Sequence, residues 1–582
     1  MPIAIAAIAI AAIDRVLASP RVGIDDANIT FVYARNLARG AGLVFTPGFE
    51  RVEGFTSMLW TLIGALAFAA GDHAEAILLV VSVLVTLVAV VSVWSAADAL
   101  VAGSAGLRSG LRRPLLALVA AWLAGLPAFY AWSALTLMDV GLWAAAIAIA
   151  ARLLVAGAGA AVRADKGAPT TATALAATTA AMVLTRPEAM ALVPVVILAF
   201  VVAGPSTDVG LRAARPAIVA TAATLGALIV FRLLYFGHPL PTTYYAKVSP
   251  DRLYNLAQGA RYLLAFARAE PLAAAAGLAA LVCAAAGAWR ALAGMPTSDV
   301  MRGASAVSVV VVAGLLLPLV GGGDHFAGFR FVQPFVPLMI LPVVGLLVAL
   351  DRRLTTPGQA RAWRSAASKS RGGRPRPEPE RARALATPAM ALVLTAIVAL
   401  SAVRSWHSFA TENGLWHEFV TATEGRLMGR TLNAILPADP RPTVAAVITG
   451  GLAFTYDGRV LDLVGLNWQA MGHAPGDRKG VKNHAAFNDA VFYEAMPDVV
   501  TPVFLRETAF SACDAFSPFD QHALRYIHRD ARFRAAYAAG YLDAPGRAVG
   551  AFFSRAWLER AAPRAAVVFS GPAAVCDEPP TR

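Results

Sequence analysis

The sequence contains 582 residues, of which 58% are hydrophobic and only 15% are charged. Soluble domains carry about 45–50% apolar and about 25% charged residues, so this composition excludes an ordinary soluble enzyme and indicates a chain that lies mostly in lipid. The net charge is +13, but residues 352–386 alone hold ten Lys and Arg against two Glu. A basic loop beside apolar helices is a topology signal, so the charge does not indicate a nucleic-acid partner.

Eleven apolar runs approach the length that a membrane-spanning helix needs, roughly 20 residues. They are residues 2–19, 76–100, 114–132, 139–157, 170–185, 189–204, 214–236, 271–289, 304–321, 333–351 and 386–403. No basic residue precedes the first run and no clear cleavage site follows it, so we predict a retained span rather than a signal peptide. Residues 56–70 are apolar but shorter, and are predicted to form an interfacial or re-entrant helix.

Lysine and arginine in the short loops predict the orientation of the spans, because such loops stay in the cytoplasm. The basic loops contain Arg108, Arg112 and Arg113; Arg152, Arg163 and Lys166; Arg212 and Arg215; Arg290 and Arg302; and the segment 352–386. Placing these loops in the cytoplasm leaves on the outer side residues 20–75, 133–138, 185–188, 237–270, 322–332 and everything after 403. We therefore predict a multi-pass plasma-membrane protein whose polar loops face outward.

The last part of the chain differs in pattern from the rest. Short alternating apolar runs between polar turns are typical of strands. They occur at 444–448, 460–464, 499–504 and 548–553. We predict a transmembrane domain at 1–403, with a low-complexity cytoplasmic loop at 352–386, and an extracytoplasmic α/β domain at 404–582. In the latter, Cys513 and Cys576 either form a disulfide or remain free thiols.

The first outer loop, 20–75, begins with adjacent carboxylates at Asp25 and Asp26. Asp25 is predicted to cap an amphipathic helix that lies along the membrane surface, since apolar residues recur at three- and four-residue spacing before two glycines end the pattern. A second carboxylate at the mouth of the bundle is a candidate general base. Glu53, later in the loop, either belongs to a site or to an ordinary solvated loop.

Two further polar clusters fall on the same predicted side of the membrane. Asp139 follows Tyr130 and Trp132, and it either stabilises the start of a helix or contributes to a site. Arg186 and Glu188 separate two apolar runs. They pair with each other, or the guanidinium binds a phosphate through two hydrogen bonds.

Two loops complete the candidate site. Residues 235–247, YFGHPLPTTYYAK, are aromatic and hydroxyl-rich and end at Lys247. This composition suits a sugar-phosphate site, or an interface belt with a snorkelling lysine. Residues 321–331, GGGDHFAGFRF, bring Asp324, His325 and Arg330 within seven residues of one another. These are too few ligands for a metal site, so a polar substrate pocket is favoured.

Several nucleotide-binding and hydrolase motifs are absent from the sequence. It contains no GxxxxGK[ST], no HExxH, no dinucleotide fingerprint and no GxSxG elbow in a strand–helix setting. The chain therefore shows no means of binding ATP or a nucleotide sugar in the cytoplasm, and a lipid-linked substrate that enters from the bilayer is the natural alternative. We predict no cofactor and no metal ligands, although a divalent ion is not excluded.

At these residues the sequence resembles a known group of enzymes. DDANITFVYARNLARGAGLVFTPGFERVEGFTSMLW is similar to the first outer loop of bacterial GT-C membrane glycosyltransferases, among them the actinobacterial terminal arabinofuranosyltransferases (AftB-like). LTRPEAM, YFGHPLPTTYYAK and GGDHFAGFRF resemble further motifs of that group in the same order. TYDGRVLDLVGLNWQAMGH resembles its outer C-terminal domain, so the likeness extends over about residues 20–475.

The resemblance implies a polytopic α-helical membrane protein of the GT-C type with a C-terminal extracytoplasmic α/β domain. It implies transfer of D-arabinofuranose from a polyprenyl-phosphate (decaprenyl-phosphate) donor to the arabinan of cell-wall arabinogalactan. Asp25 or Asp26 would be the base. The donor phosphate would be held by Arg186, Lys247, His325 and Arg330. Sugar or acceptor hydroxyls would be bound by Glu53, Asp139, Glu188, Tyr244, Tyr245 and Asp324, although a Glu is expected in the group at position 139.

Two alternatives remain open. The same fold could transfer another lipid-linked sugar to a protein or a lipopolysaccharide. A secondary transporter would need inverted repeats and ionisable residues at the membrane midplane, whereas the charges here collect in the outer loops. The sequence leaves the oligomeric state open.

Overall fold

The structure is a computed structural model, and it describes residues 1–18, 21–102, 109–158, 168–355, 378–412, 414–501, 517–544, 547–561 and 567–568. Cys513 and Cys576 lie outside the described residues, so their pairing stays a prediction. The central part of the basic loop, residues 356–377, also lies outside them.

The first part of the chain is a helical bundle. Its helices are α1 (Pro2–Leu17), α2 (Asp25–Ala38), α3 (Met58–Ala69), α4 (Ala74–Ala102), α5 (Ser109–Ala124), α6 (Pro127–Tyr130), α7 (Val140–Ala158), α8 (Ala168–Thr185), α9 (Ala189–Ala203), α10 (Thr207–Tyr235), α11 (Thr242–Lys247), α12 (Arg252–Ala269), α13 (Pro271–Leu292), α14 (Asp299–Gly321), α15 (Ile340–Thr355) and α16 (Glu378–Thr411). A π-helical turn at Ala131–Leu135 and a 3-10 helix at Gln333–Met339 precede α7 and α15. Each predicted apolar run falls on helical segments, although the run 114–132 spans α5, α6 and the start of the π-helical turn, and the run 333–351 spans the 3-10 helix and α15.

Within the described residues, seven helices are long and apolar enough to cross a membrane. The number rises to eight if Gly110–Ala124 and Pro127–Leu135, which meet at a bend of 61°, cross together. Shorter apolar helices lie at Met58–Ala69, Thr170–Thr185 and Ala189–Ala203. The prediction of a multi-pass helical membrane protein is therefore confirmed, whereas the count of eleven spans stays a prediction.

The C-terminal region folds around a six-stranded sheet of order β2-β1-β3-β5-β4-β6. Its strands are β1 (Val444–Ala446), β2 (Val460–Asp462), β3 (Val499–Val500), β4 (Tyr537–Ala544), β5 (Arg547–Ser554) and β6 (Val567–Val568), and its helices are α17 (Leu415–Ile435), α18 (Gly450–Thr455), α19 (Gln469–His473), α20 (Asp489–Ala495), α21 (Pro518–Ala523), α22 (Ala531–Ala536) and α23 (Arg555–Ala561). Strand β1 pairs in parallel with β2 and β3, and the remaining pairs are antiparallel. The four predicted strands correspond to β1, β2, β3 and β5. Strand β4, YAAGYLDA, was not predicted because its alanines and glycine show no apolar alternation.

Helix α2 differs from the prediction in two respects. Asp25 is its first residue, and Ile24 occupies the N-cap position without a side-chain cap. The helix is also buried beyond the predicted apolar face, for example at Phe31 and Ala34. The reason is that α3 packs on it from one direction and α17 and α18 of the C-terminal region pack on it from another. Helix α2 is therefore an internal connection between the bundle and the C-terminal region.

Asp25 forms the centre of that connection. Its Oδ1 and Oδ2 atoms accept hydrogen bonds of 2.7 and 3.0 Å from the backbone N–H groups of Gly451 and Gly450, at the start of α18. The first N–H groups of a helix have no partner within the helix, so Asp25 satisfies two of them. The prediction that Asp25 caps its own helix is wrong, because the carboxylate is used by a helix 425 positions later in the chain.

Arginines reinforce the same junction. Arg426 of α17 donates to Asn28 Oδ1 at 2.6 Å. The guanidinium groups of Arg35 and Arg426 both lie over the ring of Phe454, at 4.7 and 4.2 Å from the ring centroid. Such cation–π contacts orient α2 relative to α17 and α18.

Replacing Gly450 with Ala should destabilise the protein. A Cβ atom at this position would lie 2.0 Å from the backbone oxygen of Asp25, so the start of α18 would have to move. We expect a loss of about 1–3 kcal/mol, typical of overpacking, measured as a lower midpoint of thermal unfolding in detergent. Gly226→Ala is the matched control, because a Cβ there meets nothing within 4 Å. Equal midpoints for the two variants would contradict the proposed close contact.

Candidate functional site

A cavity of about 920 Å³ lies where the bundle meets the C-terminal region. Its lining includes many apolar side chains, among them Ile29, Phe55, Met138, Trp143, Leu256, Leu317, Val320 and Phe335. It also includes the charged side chains of Asp26, Arg186, Glu188, Lys247, Arg252 and Arg330. A mainly apolar pocket with a few convergent polar groups is the usual form of a small-molecule site. This combination fits an amphiphile with an apolar chain and an anionic head.

Of the adjacent carboxylates Asp25 and Asp26, Asp26 is the one that faces this cavity. It lies in the first turn of α2, and its side chain is 23% exposed. Its Oδ2 atom is 3.2 Å from Arg330 Nη1 and 3.9 Å from Lys247 Nζ, the last residue of α11. Burial alone would raise the pKa of Asp26, but the positive charges of Lys247 and Arg330 outweigh burial and hold this pKa below its usual value. Asp26 is therefore ionised at neutral pH.

Arg330 is fixed from several directions in the loop before the 3-10 helix. Its Nε and Nη2 atoms donate to both oxygens of Asp324, at 2.8 and 3.3 Å. Its guanidinium also lies 4.3 Å from the ring centroid of Phe326 and 5.1 Å from that of Phe331. Burial would raise the pKa of Asp324, but Arg330 holds it well below its usual value. Asp324 thus positions Arg330, and the free edge of the guanidinium points to Asp26.

Asp25 and Asp26 have different environments although they are adjacent in sequence. Both oxygens of Asp25 are occupied by the N–H groups of α18, and the side chain does not line the cavity. Burial raises the pKa of Asp25 to about 7, against the lowering effect of these two hydrogen bonds. The geometry leaves Asp26 as the carboxylate that can reach a substrate.

Arg186 forms a second charged group in the cavity. It donates to both oxygens of Glu188, at 2.8 and 3.2 Å, and lies 3.4 Å from Asp139 Oδ2. Burial would lower the pKa of Arg186, but the charges of Glu188 and Asp139 raise it above its usual value. Arg186 and Glu188 line the cavity, whereas Asp139 is 2% exposed and lies behind the arginine. Asp139 is therefore placed to orient Arg186.

Glu53 is engaged elsewhere. Both of its oxygens accept hydrogen bonds from Arg232 of α10, at 2.9 to 3.1 Å, and both side chains are 3% exposed or less. Glu53 does not line the cavity, although Gly54 and Phe55 beside it do. This ion pair ties the first outer loop to the end of α10.

Removing the positive partner of Glu53 should destabilise the protein strongly. Arg232→Met leaves a buried carboxylate without its counter-charge, which costs about 3–5 kcal/mol in comparable pairs. The double variant Arg232→Met/Glu53→Leu should recover part of this loss, since it buries no charge. Chemical unfolding of the purified variants measures both values. A double variant whose loss of stability equals the sum of the losses of the single variants Arg232→Met and Glu53→Leu would contradict the coupling.

The remaining predicted residues lie around the cavity at different depths. Tyr244 lines it, whereas Tyr245 packs on His473 with ring centroids 4.1 Å apart. His325 lies outside the lining, with Nδ1 3.4 Å from Asp324 Oδ1. The structure thus brings Asp26, Arg186, Glu188, Lys247, Tyr244 and Arg330 to one cavity, and places Asp25, Glu53, Asp139, Tyr245, Asp324 and His325 behind or beside it.

Two relevant residues of the C-terminal region were missed in the sequence. Asn483 lines the cavity and donates to Asp324 Oδ1 at 2.9 Å. Burial, followed by the negative charges of Asp26 and Asp25, raises the pKa of Glu418 on α17 to about 8. Neither residue stands in a motif, and their proximity to the first outer loop depends on long-range packing. No local sequence signal could have identified them.

No protein-family model matches the sequence, and no curated protein matches it. The chain is similar in structure to ArnT from Cupriavidus metallidurans bound to undecaprenyl phosphate, with a TM-score of 0.50 and 14% identity over 94% of this chain and 97% of that one. It is also similar to archaeal oligosaccharyltransferase AglB from Archaeoglobus fulgidus, in complex with an inhibitory peptide and a dolichol-phosphate. This comparison has a TM-score of 0.42 and 12% identity, and covers 94% of this chain and 74% of that one. The likeness to ArnT shows a shared fold, and the predicted fold class, a polytopic helical membrane protein with a sheet in its C-terminal region, is confirmed.

Proposed function

We propose that this protein is a membrane glycosyltransferase that moves a sugar from a polyprenyl-phosphate donor to a glycan acceptor on the outer face of the membrane. The observation that carries this proposal is the cavity in which apolar side chains lie next to Asp26, Lys247 and Arg330. The apolar part suits a polyprenyl chain and the cations suit its phosphate. The undecaprenyl phosphate bound by ArnT, which shares the fold, supports the same class of ligand.

The chemistry follows from the charges. Asp26 accepts the proton of an acceptor hydroxyl while that oxygen forms a bond to the anomeric carbon. The bond from this carbon to the phosphate oxygen breaks, and the polyprenyl phosphate leaves with its negative charge stabilised by Arg330 and Lys247. Attack opposite the leaving phosphate inverts the anomeric centre. Arg186, held by Glu188 and Asp139, is placed to bind sugar or phosphate oxygens in the same cavity.

The resemblance to AftB-like enzymes in the loops that line this cavity supports D-arabinofuranose as the sugar and arabinan as the acceptor. The basic loops support an orientation in the plasma membrane with the cavity and the C-terminal region on the extracytoplasmic side. Both assignments are part of the proposal.

A transfer assay with purified protein tests the donor and the acceptor separately. The full chain in detergent is incubated with a synthetic polyprenyl-phosphate arabinofuranose and a short arabinan, and the product is identified by mass spectrometry. Extension of the arabinan by one pentose is expected. A folded protein that transfers no arabinofuranose to the arabinan, but transfers a different lipid-linked sugar to the arabinan or to another acceptor, would overturn the arabinose assignment and keep the reaction class.

A further inference from the structure

A segment of the C-terminal region, residues 477–484, runs along the edge of the cavity. Arg478 Nε donates to the backbone oxygen of Tyr245 at 2.9 Å, and Asn483 reaches Asp324 and His325 at 2.9 and 3.1 Å. The segment is therefore held against both loops that carry the cavity's cations, the loop that ends at Lys247 and the loop that contains Arg330.

Lys482 lies between these two attachments. Gly322 has a φ of +84°, and a Cβ atom on it would be 2.8 Å from Lys482 Nζ and 3.3 Å from Asn255 Oδ1. The ammonium group thus occupies the space that a side chain at position 322 would fill. Asn255 lines the cavity, as do Gly323 and Asn483, the chain neighbours of Gly322 and Lys482, so the ammonium group lies just beside the lining.

The charge of Lys482 is poorly compensated. Within the part of the chain that the structure describes, its ammonium group has no hydrogen-bond or ion-pair partner. Burial, together with the positive charge of Lys247, lowers its pKa, while the nearby Asp324 opposes this. Asp324 is already bound by Arg330 and Asn483. Lys482 therefore lies beside the polar end of the cavity, which Lys247 lines, and is near enough to Lys247 for the two positive charges to repel each other.

We propose that Lys482 binds the phosphate of the lipid donor together with Lys247. This inference rests on the proposed function and adds that the C-terminal region supplies part of the donor site. The ligand class is a phosphate ester on a long isoprenoid chain. A phosphate oxygen between the two ammonium groups would form charge-assisted hydrogen bonds and remove their mutual repulsion.

Binding of undecaprenyl phosphate to the full-length protein tests this directly and does not require transfer. The dissociation constant is measured by native mass spectrometry for wild type, Lys482→Met and Lys479→Met. Lys479, three residues earlier, is the matched control, because it is exposed and pairs with Asp251 at 2.8 Å. We expect Lys482→Met to weaken binding about tenfold or more, and Lys479→Met to change it less than about twofold. Undecaprenol, which lacks the phosphate, should bind both variants as it binds wild type.

The outcomes separate the two proposals. If Lys482→Met binds undecaprenyl phosphate as tightly as wild type does, the role of Lys482 is overturned and the proposed function stands. A folded wild type that does not bind undecaprenyl phosphate would overturn both. If Lys482→Met does not fold, Lys482→Gln and Lys482→Arg replace it. Weaker binding of undecaprenyl phosphate by Lys482→Gln, with near-wild-type binding by Lys482→Arg, supports the role of Lys482. Equal binding by these two variants contradicts it.

Discussion

Replacing Asp26 with Asn is expected to abolish sugar transfer without unfolding the protein. The amide keeps the size of the side chain but cannot accept the proton of the acceptor hydroxyl, and general-base catalysis contributes about 10²- to 10⁴-fold. We therefore expect kcat to fall by about a thousandfold or more. The affinity for undecaprenyl phosphate should stay the same or increase, because Lys247 and Arg330 lose a negative neighbour. Transfer kinetics and lipid binding on the same preparation measure both effects.

Asp25→Asn is the matched control for this experiment. It changes the same chemical group one residue earlier, but the structure places that group against the N–H groups of Gly450 and Gly451. An amide nitrogen cannot accept the second hydrogen bond, so we expect a stability loss of about 1–3 kcal/mol with kcat of the folded fraction nearly unchanged. Loss of transfer by a stable Asp25→Asn protein, with Asp26→Asn active, would reverse the assignment of the base.

The sequence predicted the parts of this fold that depend on local pattern. The apolar runs coincide with helices because a helix in lipid must satisfy its backbone hydrogen bonds within its own segment. Strands β1, β2, β3 and β5 were recognised for a similar reason, since short apolar runs between turns reflect burial in a sheet. The sequence alone does not set the count of spans, because short apolar helices such as α3 and α9 look alike in sequence whether or not they cross.

The site was predicted less completely, because its geometry depends on contacts between distant segments. Clusters of polar residues in the loops drew attention to the segments that meet at the cavity. They did not distinguish Asp26, which faces it, from Asp25, whose partner is α18. They also could not show that Glu53 is neutralised by Arg232, 179 residues away, or that Asn483 reaches Asp324.

The same packing explains how one short loop can place opposite charges in contact. Asp324 binds one edge of the Arg330 guanidinium, and the ring of Phe326 lies against the same group. The other edge is left for Asp26. An arginine that is already bound by one carboxylate neutralises a second one only in part. Asp26 therefore stays charged in a partly buried position, yet remains available to a substrate.

Arg330→Gln should shift the pH dependence of transfer as well as reduce its rate. In wild type the pKa of Asp26 is held below its usual value, against burial, by Lys247 and Arg330, so Asp26 is ionised at neutral pH and its titration does not limit activity there. Without the guanidinium, Lys247 opposes burial with less help, so the pKa of Asp26 rises and its carboxylate becomes protonated at a higher pH than in wild type. We expect the acid limb of kcat/KM to move upward by about one pH unit or more, and kcat/KM at pH 8 to fall about 10²-fold or more because the departing phosphate loses a cation.

The matched control is Arg51→Gln, since Arg51 stacks on Tyr235 at 4.6 Å from the ring centroid and does not line the cavity. Its pH profile should superimpose on that of wild type. A uniform loss of activity in Arg330→Gln at every pH, with an unmoved acid limb, would mean that Arg330 binds the donor but does not set the charge of Asp26. If Arg330→Gln has full activity and the acid limb of its kcat/KM profile does not move, Arg330 is not part of the site. In that case the loop that contains Arg330 neither stabilises the leaving phosphate nor keeps Asp26 charged.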